Sequence, residues 1–154
     1  MLALKHLLFI SFFIIVGGCA ISGPTYSEIT IDSGSGRSLI YVYRPFKGFG
    51  FGVVPFVYID TMPVGPLLNG GFIVAKVRPG THELLLRQHW YPDRQLTVAT
   101  RAGAATYVRF LTYRNPDENT PEEAAGNMIF EEVQPSEAVE EIKDLRLLNY
   151  FSIE

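Results

Sequence analysis

Cys19 is the only thiol in a chain of 154 residues, so any sulfur chemistry runs through it. A lone cysteine forms no intramolecular disulfide and no multi-thiolate metal site. Gly17 and Gly18 stand directly before it, a small pair suited to the narrow cleft of a processing peptidase. The Gly18–Cys19 bond is therefore a candidate cleavage point, and the Cys19 sulfur a candidate for covalent modification. His82 and His89 also have ligand chemistry. Without a Cys or a His-x-His pair beside them they make a weak metal signal. His82, placed just after Pro79-Gly80, reads instead as a local backbone hydrogen-bonder. Gly48, Gly50 and Gly52 lack the spacing of a dinucleotide fingerprint, and no Gly-Lys-Ser/Thr closes a phosphate loop. Neither a Gly-x-Ser-x-Gly elbow nor a paired-carboxylate arrangement stands out. The sequence assigns no catalytic residue, no metal and no cofactor.

What positions Cys19 is the stretch before it. Residues 7–16 form an apolar run of ten with one Ser, preceded by Lys5 and His6. A bilayer-spanning helix needs roughly 20 apolar residues, whereas the core of an export signal needs about 7–15. The run is an export signal by that measure, although the same residues left uncleaved would make a short anchor. Val16-Gly17-Gly18-Cys19 resembles the bacterial lipobox. The resemblance implies cleavage after Gly18 and lipidation of Cys19. Ala20, rather than Asp, follows Cys19; likeness to sorted lipoproteins then implies the outer membrane, on its periplasmic face. One acyl chain binds a bilayer marginally, but a lipoprotein cysteine carries two or three, which makes detachment negligible.

Cleavage before Cys19 removes 18 of the 154 residues and leaves 136, enough for one domain to bury close to 70% of its unfolded surface. Lys5 is the one formal charge lost with residues 1–18, so the net charge goes from −3 to −4. That balance argues against a nucleic-acid or an anionic-lipid surface, either of which needs a basic patch. The aromatic content, 11 Phe and 8 Tyr, together with frequent Gly and Pro, favours strands and tight turns.

Residues 19–37 read as the lipidated Cys and a flexible Ser/Gly/Pro-rich tether, with a weak alternation at 26–31 that would suit an edge strand. Residues 38–154 read as one domain. Seven strands are expected, at Ser38–Arg44, 56–60, 72–77, 83–88, 95–100, 106–113 and Asn127–Val133, with turn signals such as Arg78-Pro79-Gly80-Thr81 between them. That spacing suits a sandwich or a partly open barrel. A helix is expected over 137–148, capped by Ser136, with an apolar stripe of Ala138, Val139, Ile142 and Leu145. The fold class expected is mainly β, an antiparallel β-sandwich of about seven strands with one C-terminal helix. The apolar tail around Tyr150-Phe151 suits pairing at a sheet edge.

Tyr41-Val42-Tyr43-Arg44-Pro45, Val57-Tyr58-Ile59-Asp60, Leu68-Asn69-Gly70-Gly71-Phe72 and Val77-Arg78-Pro79-Gly80-Thr81-His82 follow in that order, then Ala102-Gly103 with Tyr107-Val108-Arg109. Over residues 39–133 this series resembles the bacterial lipoprotein family called domain of unknown function 2846. Its middle part is similar to small β-rich surface modules named for a Pro-Glu-Gly-Ala motif. The chain departs from the pattern at Asp60-Thr61, where a Gly after the Asp would be usual. The resemblance implies a fold and no activity.

Contact chemistry remains. Residues 46–54 (FKGFGFGVV) are glycine-rich and aromatic. Phe49 and Phe51 either touch lipid or a partner, or cap the core from a wide connection, the reading favoured here because isolated exposed apolar residues are common. Trp90, Tyr91 and Arg94 are the residue types of interface hot spots, either as a contact patch or as a turn with Trp90 folded back on a sheet. Residues 117–123 are acidic and read as a solvated loop. The function expected is a membrane-anchored, non-enzymatic binding or scaffolding module of the cell envelope, with an envelope protein or glycan as partner. The alternative is a small periplasmic hydrolase or ligand carrier.

Overall fold

The computed structural model describes residues 21–34, 36–89, 91–113 and 127–153. Gly18, Cys19, Trp90 and the acidic stretch 117–123 lie outside them. The described residues form β1 (Ser38–Arg44), β2 (Phe56–Ile59), β3 (Met62–Pro66), β4 (Gly71–Val77), β5 (Gly80–Gln88), β6 (Tyr91–Thr100), β7 (Ala105–Tyr113), β8 (Asn127–Val133), α1 (Pro135–Ile142) and β9 (Arg146–Ser152). One sheet has the order β8-β7-β1-β4-β9 and the other β3-β2-β5-β6. The protein is thus mainly β, with two sheets and one helix.

Nine strands are present among the described residues where seven are expected. β3, Met-Pro-Val-Gly-Pro, has a composition that argues against a strand. It forms because it lies at a sheet edge, where a missing proline N–H faces solvent. β9 takes residues expected to be helical. The helix stops at Ile142, and the Leu145 amide donates to the Ile142 carbonyl at 2.8 Å, turning the chain out. Ser136 is not the cap. Gln134 holds that position without a side-chain bond, and Pro135 opens the helix, where its absent N–H costs nothing. Ala138, Ile142 and Leu145 are buried as the stripe requires, but Val139 is 38% exposed.

The expected all-antiparallel pairing is also corrected. β1 pairs β7 in parallel, and β4 pairs β9 in parallel. The burial of β1 explains this, since all seven of its residues are buried. A strand covered on both faces carries a continuous apolar run, as parallel sheets do. On one face Ile40 and Val42 join Ile73, Val108 and Phe110 in a cluster that also takes Val57, Ile59, Leu84 and Val98 from the other sheet. On the opposite face Leu39, Tyr41, Tyr43, Phe72 and Tyr107 meet Ala138 and Ile142 of α1.

The segment expected to be a flexible tether is docked over this second face. The Tyr26 amide donates to the Leu145 carbonyl at 3.0 Å, and the Leu147 amide to the Pro24 carbonyl at 2.8 Å. Instead of an edge strand, Tyr26–Glu28 makes one 3-10 turn. It sets the Tyr26 ring edge-on to Tyr41 at 5.6 Å, with its hydroxyl 2.9 Å from that of Tyr107. Gly23 permits the approach: a Cβ there would sit 1.9 Å from the Leu147 carbonyl oxygen.

These buried phenols give the fold an alkaline limit. Burial, with Tyr26 and Tyr150 nearby, pushes the Tyr41 hydroxyl up to about 12. Burial raises Tyr43 and Tyr107 too, helped by hydrogen bonds with Glu141 and Tyr26 respectively. Below pH ~10 these groups are protonated folded and unfolded. Above it the unfolded chain ionises first, so stability falls by ~1.4 kcal/mol per pH unit per group. The buried Arg44 opposes this as one group against three. We expect a net loss of about 3 kcal/mol between pH ~9 and ~11, read from denaturant midpoints, and a shallower loss in Tyr41→Phe.

Candidate contact surface

β1 ends at Arg44 because Pro45 follows. The Arg44 side chain turns inward, with 1% of the residue exposed, and its guanidinium lies 5.4 Å from the centre of the Phe110 ring. It donates to the Gly50 carbonyl at 2.5 Å and to the Val53 carbonyl. No carboxylate pairs with it among the described residues, and burial pulls its pKa down to about 10. Backbone carbonyls and a phenyl face therefore replace the counter-ion.

Those two bonds fold residues 46–54. The Val53 amide returns to the Gly50 carbonyl at 2.9 Å, and the Thr112 hydroxyl donates to the Phe49 carbonyl at 3.1 Å. Asn69 accepts from the Lys47 amide at 3.1 Å and donates to the Lys47 carbonyl at 2.9 Å. Gly50 is required twice over. Its φ is +70°, and a Cβ would lie 2.4 Å from the Thr112 hydroxyl oxygen. Only Val53 of this loop packs against the core. Phe46 and Phe51 are 73% and 72% exposed, Phe49 37% and Val54 41%. The core-capping reading is thus overturned for Phe46 and Phe51, which stand outside on a loop held by hydrogen bonds.

The outer face of the four-stranded sheet continues the aromatic surface. The Phe56 and Tyr58 rings lie 5.3 Å apart, and Arg87 stacks over Tyr58 at 5.5 Å while its Nε meets Asp93 at 3.2 Å. Tyr91, half-buried, begins β6 opposite Gln88, and the exposed Arg94 stands opposite Leu86. Phe56 is the register partner of Arg87. The β5–β6 hairpin and the 46–54 loop therefore reach the same end of that sheet, although they come from different connections.

His82 is a structural residue. Its Nε2 lies 2.7 Å from the Arg78 carbonyl and its Nδ1 2.5 Å from Asp60. The Thr100 hydroxyl reaches the same Arg78 carbonyl at 3.4 Å, so the carbonyl, not the hydroxyl, faces the ring. Asp, His and hydroxyl are all present, but no base addresses a nucleophile. Asp60 also accepts from the Glu83 amide at 3.0 Å, tying the β2–β3 turn to β5. In that turn Asp60 and Thr61 have φ of +50° and +70°, the two positive values of a two-residue hairpin turn. A β-branched residue is strained there. Thr61→Gly should therefore stabilise the protein by about 1 kcal/mol, read as a higher denaturant midpoint, with Asp60 and His82 unchanged.

Sequence reasoning missed two arginines. Besides Arg44, Arg109 on β7 bonds Glu131 of β8 at 2.7 Å and Glu137 and Glu141 of α1 at 2.7 Å each. Glu141 also accepts from the Tyr43 hydroxyl at 2.6 Å. Burial alone would pull the Arg109 guanidinium down, but its three carboxylate partners outweigh that and hold it above its ordinary value. Glu137 and Glu141 sit four apart on one helix face, which was the available signal for this clamp.

A cleft of about 390 Å³ lies between the start of the described chain and the aromatic loop, lined by Ile21, Phe46, Asn69, Leu145, Asp144 and Arg146. The architecture is that of a two-sheet β domain presenting an ordered aromatic loop. Residues 34–125 match the family described as "Protein of unknown function (DUF2846)", and the chain belongs to that family. The match takes in the aromatic loop, Asp60, His82 and both arginines. No curated protein matches the sequence.

Proposed function

We propose that this chain is a membrane-anchored bacterial lipoprotein, a non-enzymatic binding or scaffolding module of the cell envelope. Cys19 carries the lipid, and the domain sits at the periplasmic face, in the outer membrane by the residue at position 20. The observation that carries this reading is the ten-residue apolar run closing on Val16-Gly17-Gly18-Cys19, too short for a span and right for a signal core.

We further read the two sheets as a face-to-face sandwich, supported by the one apolar cluster that takes side chains from both. Contact rather than catalysis is supported by the committed partners of His82, whose ring nitrogens face Asp60 and the Arg78 carbonyl. The deciding experiment is mass spectrometry of the N-terminal peptide from the purified membrane form. The expected species begins at Cys19 and carries acyl chains. A peptide beginning at Met1, or an unmodified Cys19, overturns the reading.

A further inference from the structure

We propose that residues 46–54 form a second, protein-borne membrane contact, in which Phe46 and Phe51 seat in the interfacial layer of the bilayer that holds the Cys19 anchor. This rests on the lipoprotein reading above and adds to it an orientation: which end of the domain faces the lipid.

Position is the first support. Ile21 lines the same cleft as Phe46. Position 19 precedes it by two residues, and at ~3.8 Å per Cα step it lies no more than about 8 Å away. The start of β9 is at this end as well, with Arg146 in register with Gly71, as Arg44 is on the other side of β4. An acylated Cys19 would therefore bring the bilayer surface to the end of the domain that carries the aromatic loop.

Chemistry is the second. Phenylalanine seats its apolar ring at the headgroup–acyl boundary while a neighbouring lysine keeps its charge among the headgroups. The loop offers Phe46 and Phe51 mostly exposed, Phe49 and Val54 in part, and Lys47 between the two. Burying one phenyl ring is worth roughly ten- to a hundredfold in partition. The cleft lining holds one carboxylate, Asp144, and one guanidinium, Arg146, so its formal charge is zero.

Preorganisation is the third. Arg44, Asn69 and Thr112 already fix the loop backbone, so little conformational freedom remains to be lost on docking. The anchor makes the encounter intramolecular, so a contact too weak to bind alone is populated. Lipid is favoured as the occupant because the bilayer is the surface that the Cys19 anchor already holds at this end.

The test uses the lipidated full-length protein bound to vesicles of phosphatidylethanolamine and phosphatidylglycerol, with no other protein. Lys47 and Lys76 are labelled with a water-soluble amine reagent, and Lys76, half-buried toward the opposite end of β4 from Gly71, is the reference. Lys47 is expected to react several-fold more slowly relative to Lys76 in the wild type than in Phe46→Ser/Phe51→Ser, whose substituted side chains are too exposed to be needed for folding. Equal ratios in the two proteins overturn the proposal, as does protection of Lys47 that survives the double substitution. The N-terminal mass of the same sample separates the failures. An unlipidated chain sinks the lipoprotein reading, whereas a lipidated chain with a freely reactive Lys47 sinks only the loop contact.

Discussion

Cys19→Ser is expected to move the protein from a membrane fraction that resists alkaline and high-salt washing to one that those washes release. Each buried methylene of an acyl chain contributes ~0.8 kcal/mol, and one myristoyl-length chain gives an association constant of only about 10⁴ M⁻¹. A second chain would multiply that by orders of magnitude, so a doubly acylated wild type is expected to stay bound through such washes. Serine lacks the thiolate that the lipid is transferred to. The substituted chain should also keep residues 1–18, because the lipobox peptidase follows lipidation in the proteins the motif resembles. Ten helical apolar residues cover ~15 Å, about half the ~30 Å hydrocarbon layer. A retained leader would be too short to span and would make only a short anchor, expected to hold the chain less firmly than two or three acyl chains. Both readings, mass and extractability, should change together. A Cys19→Ser protein that is shortened as usual and resists extraction would leave the anchor unexplained.

The parts of the fold that could be read from the sequence are those whose local pattern and tertiary setting agree. Ser38–Arg44 and Asn127–Val133 have the expected limits because a β-branched or aromatic run meets a breaker, Pro45 in one case and Gln134-Pro135 in the other. Pairing direction is different. Nothing within residues 38–44 says that β7 lies parallel to them; that follows from a chain that builds the second sheet before returning. β3 is strand by position at an edge and not by composition. At Leu145 a helical stripe continues past the point where pairing with β4 captures the backbone, and tertiary context overrides propensity. The candidate surface shows the same division. Aromatic content at 46–54 is visible in the sequence, but the outward set of Phe46 and Phe51 is not. It depends on Arg44, which sequence alone reads as the charged end of a strand, reaching two carbonyls of the loop that follows it.

Phe110→Ala is the substitution expected to cost most in stability. Phe110 is fully buried on β7, faces Phe130 across the β7–β8 ladder, and belongs to the cluster that draws on both sheets. Removing a buried phenyl costs about 3–5 kcal/mol through lost transfer energy and the cavity left behind. Against a total of ~5–15 kcal/mol, that is a third or more of the folding free energy, and the melting temperature should fall by roughly 10–20 °C. Phe51→Ala is the control: at 72% exposure it should stay within about 0.5 kcal/mol of wild type. A second consequence separates this site from an ordinary core position. The Phe110 ring is the platform under the Arg44 guanidinium, and a desolvated cation over an aromatic face is worth up to ~2 kcal/mol. Without it Arg44 is a buried charge held by two carbonyls alone, and the loop it organises should open more often. Hydrogen exchange at the Val53 amide, which bonds the Gly50 carbonyl, should then accelerate beyond what the global destabilisation predicts. Two outcomes would count against this account. A loss below ~1 kcal/mol would mean that the two sheets do not share one core, since no fully buried phenyl in such a core is so dispensable. A full loss with Val53 exchange tracking only global unfolding would keep the sandwich and remove Arg44 as the element that orders the aromatic loop.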